Sequence, residues 1–319
     1  MRIGLDVLGG DFAPKATLQG AALALKDLPE TVKIVLIGDK EIIHSFLKEE
    51  RMDPSRFDIV DAPDLIEMDE QPTKALVSKP NSSISVGFRL LKHKEINAFA
   101  SAGSSGAMMV GAIYSVNTIQ GIIRPSTPAW IPKENGGTSL LIDVGTNPDS
   151  KPDVMYQFGL LGSIFAESVM HVKNPRVGLL NIGAEEKKGN LTTQSAFQLM
   201  KGNRDYNFIG NVEGRDLFKD NVDVIVCDGF VGNIVLKQIE AMYRVFAKRG
   251  IQDDYLDRFN YEHFGGTPIL GVNGNAIVGH GISSSRAIAR MIHQAREIAD
   301  AKLPQRIKHA LEQYALNNN

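Results

Sequence analysis

A chain of 319 residues, 43% of them apolar and with a net charge of −2, can bury a large core, as one α/β unit or as two lobes around a central cleft. That composition excludes disorder and leaves no basic footprint for nucleic acid, so an anionic ligand must be met by local groups. The single cysteine, Cys227, excludes a disulfide framework within the chain. With no run of about 18 apolar residues and no secretory leader ahead of the first strand, a cytoplasmic protein is expected, at most peripheral at the inner face of a membrane.

Apolar runs at 3–7, 32–37, 57–60, 96–100, 139–144, 177–182 and 222–227 read as strands, and they alternate with helical patterns such as 16–28 and 41–50. Most are apolar at nearly every position, as a strand buried on both faces requires. The fold class is therefore α/β, a mostly parallel sheet sandwiched by helices. The Pro- and Gly-rich stretch 121–137 reads as a crossover or linker, and the polar stretch 61–81 as a long surface loop.

The strand ends carry the chemistry, because ligands of open α/β sheets bind beyond the carboxyl ends of strands. The first strand ends in Asp6-Val-Leu-Gly9-Gly10-Asp11-Phe-Ala-Pro14, a strand, a glycine turn and a helix start. The run 96–100 leads into Ser101-Ala-Gly103-Ser104-Ser105-Gly106 and then a helix over 108–118, where hydroxyls and free N–H groups suit a phosphate. Further turns are Asp143-Val-Gly145-Thr146-Asn147, followed by a helix over 152–170, and Asn181-Ile-Gly183, which leads to the charged loop holding Lys187. Two strand ends lie within the stretch 207–237: one runs into Asn211-Val-Glu213-Gly214, the other into Asp228-Gly229-Phe-Val-Gly232-Asn233. Asn273-Gly274 predicts a hairpin over 265–275, and Gly279-His280-Gly281 then precedes Ser283 and Ser284 at a helix start. Each turn also reads as an ordinary turn or cap, since Gly, Asn, Asp and Ser form both.

Absent motifs narrow the reaction. No Walker A sequence, G-x-G-x-x-G, G-x-S-x-G, H-E-x-x-H or paired C-x-x-C is present, so neither a metal nor a cofactor is expected. Cys227 at the end of an apolar strand reads as a packed thiol, and His280 between glycines as the one histidine placed to act as acid or base.

Taken together and in order, the turns at 6–14, 101–107, 141–147, 175–189, 207–237 and 265–284 resemble the PlsX family of bacterial phosphate acyltransferases. That resemblance implies transfer of a fatty acyl group from acyl carrier protein to inorganic phosphate, giving acyl phosphate for a downstream membrane acyltransferase. It also implies a homodimer, and a fold similar to phosphotransacetylases and to isocitrate and isopropylmalate dehydrogenases. Leu8, Ser104-Ser105 and Thr146 depart from the family pattern, where Met, Asn-Thr and Ala are expected. Candidate catalytic residues are His280, Asn211, Asp228 and Asn233. Candidate substrate-binding residues are Asp6, Gly9, Gly10, Asp11, Ser101, Gly103, Ser104, Ser105, Gly106, Asn147, Asn181, Glu213, Gly229, Ser283 and Ser284, with Lys187 and Lys237 supplying positive charge. Rival readings are a decarboxylating dehydrogenase, and a module that binds acyl carrier protein without reaction.

In the family the segment after Asp228-Gly229 is a helical hairpin that serves dimer contact and touches the bilayer. Here the segment 238–260, within a hairpin expected over 234–262, is short and polar for that role, with Lys248, Arg249, Asp253, Asp254 and Asp257. A dimer-packing hairpin is expected, with Phe246, Ile251, Tyr255, Leu256 and Phe259 the candidates for any membrane contact.

Overall fold

The computed structural model describes residues 1–317, with side chains through residue 313. The chain forms two compact units, one of Met1–Thr118 with Tyr261–Lys302, the other of Ile119–Asn260 with Leu303–Asn319.

Unit 1 opens with β1 (Arg2–Asp6), α1 (Lys15–Ala24), β2 (Lys33–Gly38), α2 (Lys40–Glu49) and β3 (Phe57–Asp61). It continues through α3 (Pro72–Ser78), α4 (Ser83–Lys92), β4 (Ala98–Ser101) and α5 (Ser105–Gly111), which runs into a π-helical turn at Ala112–Val116. Unit 2 holds β5 (Pro128–Pro132), β6 (Thr138–Ile142), α6 (Pro152–Ser168), β7 (Arg176–Leu180), α7 (Leu191–Met200), β8 (Asn207–Val212), β9 (Val224–Val226), α8 (Gly229–Lys248) and α9 (Asp254–Asp257). The chain returns to unit 1 for β10 (Gly266–Pro268), β11 (Ala276–Gly279) and α10 (Ser285–Asp300), and α11 (Leu303–Asn317) closes unit 2.

The sheet of unit 1 has the order β10-β11-β4-β1-β2-β3, parallel throughout except for β10, which pairs antiparallel with β11. The sheet of unit 2 has the order β5-β6-β9-β7-β8, with β5 its antiparallel edge. The apolar runs read as strands are inner strands of these sheets, apart from 57–60, which is the edge strand β3; Ile34–Ile37 and Val224–Val226 are fully buried, as two-sided burial demands. In unit 1 the edge of Phe88 meets the ring of Phe99 at 5.2 Å, inside a core that includes Ile37, Ile84, Ile96 and Met108. The core of unit 2 gathers Ile131, Leu141, Val222 and Ile225, with Val235 and Ile239 of α8 packed against it.

Several boundaries differ from those the sequence suggests. The stretch 121–137 is not a bare linker: it contains β5, whose Pro128 and Pro132 are tolerated because they stand at the ends of an edge strand. The stretch 61–81 contains α3, with Pro72 in its first turn. The helix read over 108–118 begins earlier and gives way to the π-helical turn. Asn273-Gly274 is not the apex of a two-residue hairpin. The antiparallel pair is Gly266–Pro268 with Ala276–Gly279, and the Asn273 amide donates to the Asn117 and Thr118 carbonyls at 3.2 and 2.9 Å. The amphipathic stretch begins at Gly229 rather than 234, and its second arm is the short α9. Tyr255 and Phe259 face unit 2 itself: the Tyr255 hydroxyl donates to Pro132 O at 3.2 Å, and the Phe259 ring meets Phe218 at 5.6 Å.

Candidate active site

Parallel pairing brings the carboxyl ends of β1, β4 and β11 to one edge of the unit 1 sheet. There the three turns read from the sequence meet. Asp6, fully buried, accepts on Oδ1 from the N–H groups of Leu8 and Gly9 at 3.0 and 3.1 Å. Its Oδ2 accepts from the Ser101 hydroxyl at 2.6 Å, and that same hydroxyl accepts from Gly103 N at 3.0 Å. One carboxylate therefore shapes two turns. Gly9 is required by the crowding: a Cβ there would stand 2.5 Å from Asp6 Oδ2 and 2.6 Å from Gly103 N. Burial pushes the Asp6 carboxyl above its usual range, and the hydrogen bonds from Ser101, Leu8 and Gly9 oppose that rise. Asp6 and Ser101 have no exposed surface, so they act on a ligand only through the turns they hold.

The third turn joins through the backbone, Asp11 N donating to Gly281 O at 2.7 Å, with Gly10 at φ 108° beside it. His280, half-buried, sets its ring 5.2 Å from that of Tyr261, and its carbonyl accepts from Ser283 N at 2.9 Å. The Ser283 hydroxyl is buried with no hydrogen-bond partner. Ser284 caps α10 by accepting from Ala287 N at 3.3 Å and is hydrogen-bonded to Glu262. Ser104 caps α5 in the same way through Ala107 N at 3.3 Å, leaving the N–H groups of Ser105 and Gly106 without intrahelical acceptors. Ser105 is exposed.

The matching edge of unit 2 collects the ends of β6, β9, β7 and β8. Asn181 and Asn211 meet there, the Asn181 amide donating to Asn211 Oδ1 at 3.1 Å. Between them they fasten the charged loop, for Asn211 Nδ2 donates to Glu185 O at 2.9 Å and Asn181 Nδ2 to Lys188 O at 3.1 Å. The stem of Lys188 lies over Gly183, with Cγ 2.9 Å from where a Cβ would stand. Lys187 is exposed and makes no hydrogen bond or ion pair, while Lys237 on α8 pairs with Glu240 at 3.3 Å. Glu213 accepts from Arg215 at 2.8 Å and joins Asp216 in a reciprocal cap of the short turn Gly214–Asp216. Asp228 caps α8 through Val231 N at 2.8 Å.

Asp143 reads from the sequence as part of the turn 143–147, with no role given to it at the site. Fully buried, it accepts from Thr127 N at 3.2 Å and Thr146 N at 3.4 Å on Oδ1, and from Asn147 N at 2.6 Å and Asn147 Nδ2 at 2.9 Å on Oδ2. Asn147 O in turn accepts from Gly229 N at 2.8 Å, so the turn after β6 carries the start of α8. The signal available in the sequence was the parallel between Leu5-Asp6-Val7 and Ile142-Asp143-Val144, an aspartate closing an apolar strand in each unit. Cys227 is inert: burial, with the charges of Asp228 and Asp143, pushes its thiol well above the usual range, and its sulfur lies 3.5 Å from Asp143 O.

The description "fatty acid synthesis protein" belongs to a family whose model matches residues 1–306. The chain is 39% identical over 330 residues to a phosphate acyltransferase of Dictyoglomus thermophilum, with 98% of each chain covered. It is 43% identical over 294 residues to one of Syntrophomonas wolfei, covering 90% of this chain and 91% of that one. The chain belongs to this family of phosphate acyltransferases. It is accordingly an acyltransferase of lipid biosynthesis, and the rival reading as a dehydrogenase falls. Its fold is shared with a phosphotransacetylase from Streptococcus pyogenes (TM-score 0.67, 16% identity, 93% and 94% of the two chains). It is shared also with a branched-chain phosphotransacylase from Enterococcus faecalis (TM-score 0.63, 13% identity, 94% and 99%). Among the described residues no helix is long and apolar enough to cross a membrane.

Proposed function

We propose that this acyltransferase moves a fatty acyl group from the thioester of acyl carrier protein to inorganic phosphate, releasing acyl phosphate and the free carrier thiol. The observation that carries the reading is the knot of Asp6, Ser101, Gly9 and Gly103, which shapes the β4–α5 turn and leaves the Ser105 and Gly106 N–H groups open to an anion. A phosphate oxygen attacks the thioester carbonyl carbon, the carbonyl oxygen takes up the negative charge, and collapse expels the thiolate, which takes a proton. Phosphate is itself the nucleophile, because the one thiol of the chain is sealed in the core. The enzyme's tasks are then to hold phosphate, to orient the carbonyl and to stabilise the tetrahedral oxyanion with fixed donors. Taken by itself, unit 1 offers main-chain N–H groups and the serines of its turns for these tasks. Unit 2, taken by itself, offers the amides of Asn211 and Asn233 and the lysines of the 185–189 loop. His280 is the candidate to protonate the leaving sulfur, a modest service because a thiol of pKa about 8.5 leaves readily. The same reading makes the enzyme a cytoplasmic homodimer that meets acidic carrier protein and passes acyl phosphate to a membrane acyltransferase.

The test is to incubate the enzyme with acyl carrier protein thioester, with and without phosphate, and follow free carrier thiol. Phosphate-dependent thiol release with one acyl phosphate formed per thiol is expected. Equal thiol release without phosphate, or an acylated enzyme trapped by acid quench, contradicts direct attack.

A further inference from the structure

We infer that Asp143 is a positioning residue for acyl transfer, acting through Asn147 on the first turns of α8 and so on Asn233. The inference rests on the reading above only in giving Asn233 a part in the reaction. Asp143 has no exposed surface and cannot touch a substrate. Its carboxylate instead gathers the turn, accepting from Thr127, Thr146 and Asn147. Both the main-chain N–H and the side-chain amide of Asn147 donate to Oδ2, at 2.6 and 2.9 Å, and the second proton of that amide goes to Pro125 O at 2.8 Å. Hydrogen bonds to a charged acceptor are the stronger kind, so Asn147 is held at two atoms.

Asn147 then bears directly on the helix. Its carbonyl takes the Gly229 N–H at 2.8 Å, and a Cβ on Gly229 would stand 2.8 Å from that same carbonyl oxygen. One turn further on, a Cβ on Gly232 would fall 1.9 Å from Asp143 O, so the helix start and the Asp143 backbone touch with no side chain between them. The next residue is Asn233. Its Oδ1 lies 3.4 Å from the point where a Cβ of Gly145 would stand, beside the exposed tip of the turn that Asp143 organises. Asp143, Asn147, Gly229 and Asn233 thus form one mechanical chain from a buried charge to an exposed amide.

Asp143→Asn keeps the shape but turns an amide nitrogen toward a ring of donors. We expect kcat to fall at least about tenfold, with the phosphate KM within about threefold of the parent, the pattern of a contact made chiefly in the transition state. Asn147→Ala, which removes only the side-chain links, should lower kcat in the same direction and serves if Asp143→Asn does not fold. Asn233→Ala combined with Asp143→Asn should be no slower than Asn233→Ala alone, because both remove one function. A purely architectural aspartate would give multiplied losses instead. Amide hydrogen exchange at Gly229 should quicken in Asp143→Asn, and this readout holds whatever acyl donor or acceptor the enzyme uses. Unchanged exchange, parental kcat in a folded variant, or multiplied losses in the double variant overturns the inference.

Discussion

Asp6 and Ser101, far apart in the chain, meet at 2.6 Å in the buried floor of unit 1, and the Ser101 hydroxyl passes the contact on to Gly103 N at 3.0 Å. The hydrogen bond joins the ends of two neighbouring parallel strands, β1 and β4. Removing it leaves buried polar atoms stranded. Ser101→Ala should therefore cost about 1–3 kcal/mol of stability, with loss of phosphate affinity as the β4–α5 turn relaxes, measurable by denaturant melting and the phosphate KM. Parental stability and KM in that variant would reduce the pair to packing. The pH dependence has a definite sign. Because burial raises the Asp6 carboxyl, the folded state holds its proton over a window above the ordinary carboxylate range. The Asp6 contribution to stability should fall as pH rises through that window, a slope that Asp6→Asn abolishes.

Ser104 gives a cleaner probe of charge at the same turn. Aspartate caps a helix as well as serine does, so Ser104→Asp should keep the bond to Ala107 N and keep α5 intact. What it adds is a negative charge where an anion must bind, a penalty of about 1 kcal/mol or more at an effective dielectric of 20. The phosphate KM should rise at least about fivefold with melting unchanged. An unaltered KM would place phosphate elsewhere.

The two lysines of the charged loop should behave differently. Both are exposed and neither ammonium makes a hydrogen bond or ion pair, but Asn181 holds the Lys188 carbonyl at 3.1 Å and the Lys188 stem is laid over Gly183, whereas Lys187 has no such hold. A lysine held at its backbone and stem can serve a bound phosphate, and one without such a hold serves encounter with an acidic carrier protein. Lys188→Ala should raise the phosphate KM at every ionic strength. Lys187→Ala should weaken carrier-protein kinetics only at low salt, where exposed charges act over a longer range. Identical salt profiles for the two variants would refute the division.

Most of this architecture was legible because two-sided burial writes itself into sequence as apolar runs, and the turns at strand ends stand out as Gly, Asn, Asp and Ser. Other features were not, β5 and Asp143 among them. β5 hid because its prolines mimic a linker, and only pairing with β6 makes the stretch from Pro128 to Pro132 a strand. Asp143 hid because its role shows only in three dimensions: Thr127 comes from just ahead of the edge strand β5, and Asn147 leans on a helix that starts at Gly229. Conversely, Asp228, Ser104 and Ser284 read as site residues and serve as helix caps in the structure, two roles that share the same residue types.

A buried ion cluster predicts acid sensitivity. Lys133, 3% exposed, donates to Asp223 Oδ1 at 2.7 Å and to Asp220 at 3.2 Å, while Arg176 holds Asp223 Oδ2 through Nε at 2.9 Å. Burial alone would raise the Asp223 carboxyl, but the hydrogen bonds from Arg176 and Lys133 outweigh it and hold the group far below the usual range. A depressed carboxylate stabilises the fold above its unfolded pKa, about 3.9, and loses that contribution as pH falls toward the folded value. Acid titration of the parent should thus show a loss of stability beginning near pH 4–5 that Asp223→Asn lacks. Lys133→Met, which leaves Asp223 short of a partner, should destabilise by about 3–5 kcal/mol at neutral pH. A change under about 1 kcal/mol would mean that water satisfies the carboxylate.

The last prediction concerns α8, whose two faces are unlike. Val235 and Ile239 pack on the core of unit 2, but Val231, Ile234, Met242 and Val245 are 38%, 52%, 42% and 48% exposed. At 100° per residue those four fall on one stripe, with Gln238 inside it. An apolar stripe of this length is covered by a partner of some kind. The acidic group Asp253, Asp254 and Asp257 stands just beyond the helix, where it repels an anionic lipid surface, and Lys248 and Arg249 offset it only in part. The arm that follows is tied to its own unit by Arg258, which donates to Lys133 O at 3.1 Å and Gly137 O at 2.6 Å, so it is not free to dip into a bilayer. A second copy of the chain is therefore the expected cover. Ile234→Asp with Val245→Asp should shift the dimer dissociation constant at least about tenfold in sedimentation, about 1.4 kcal/mol, while each subunit keeps its fold. The parent should stay behind when anionic liposomes are floated at physiological salt. Strong flotation of the parent, lost in the double variant while its dimer persists, would assign the stripe to the membrane instead.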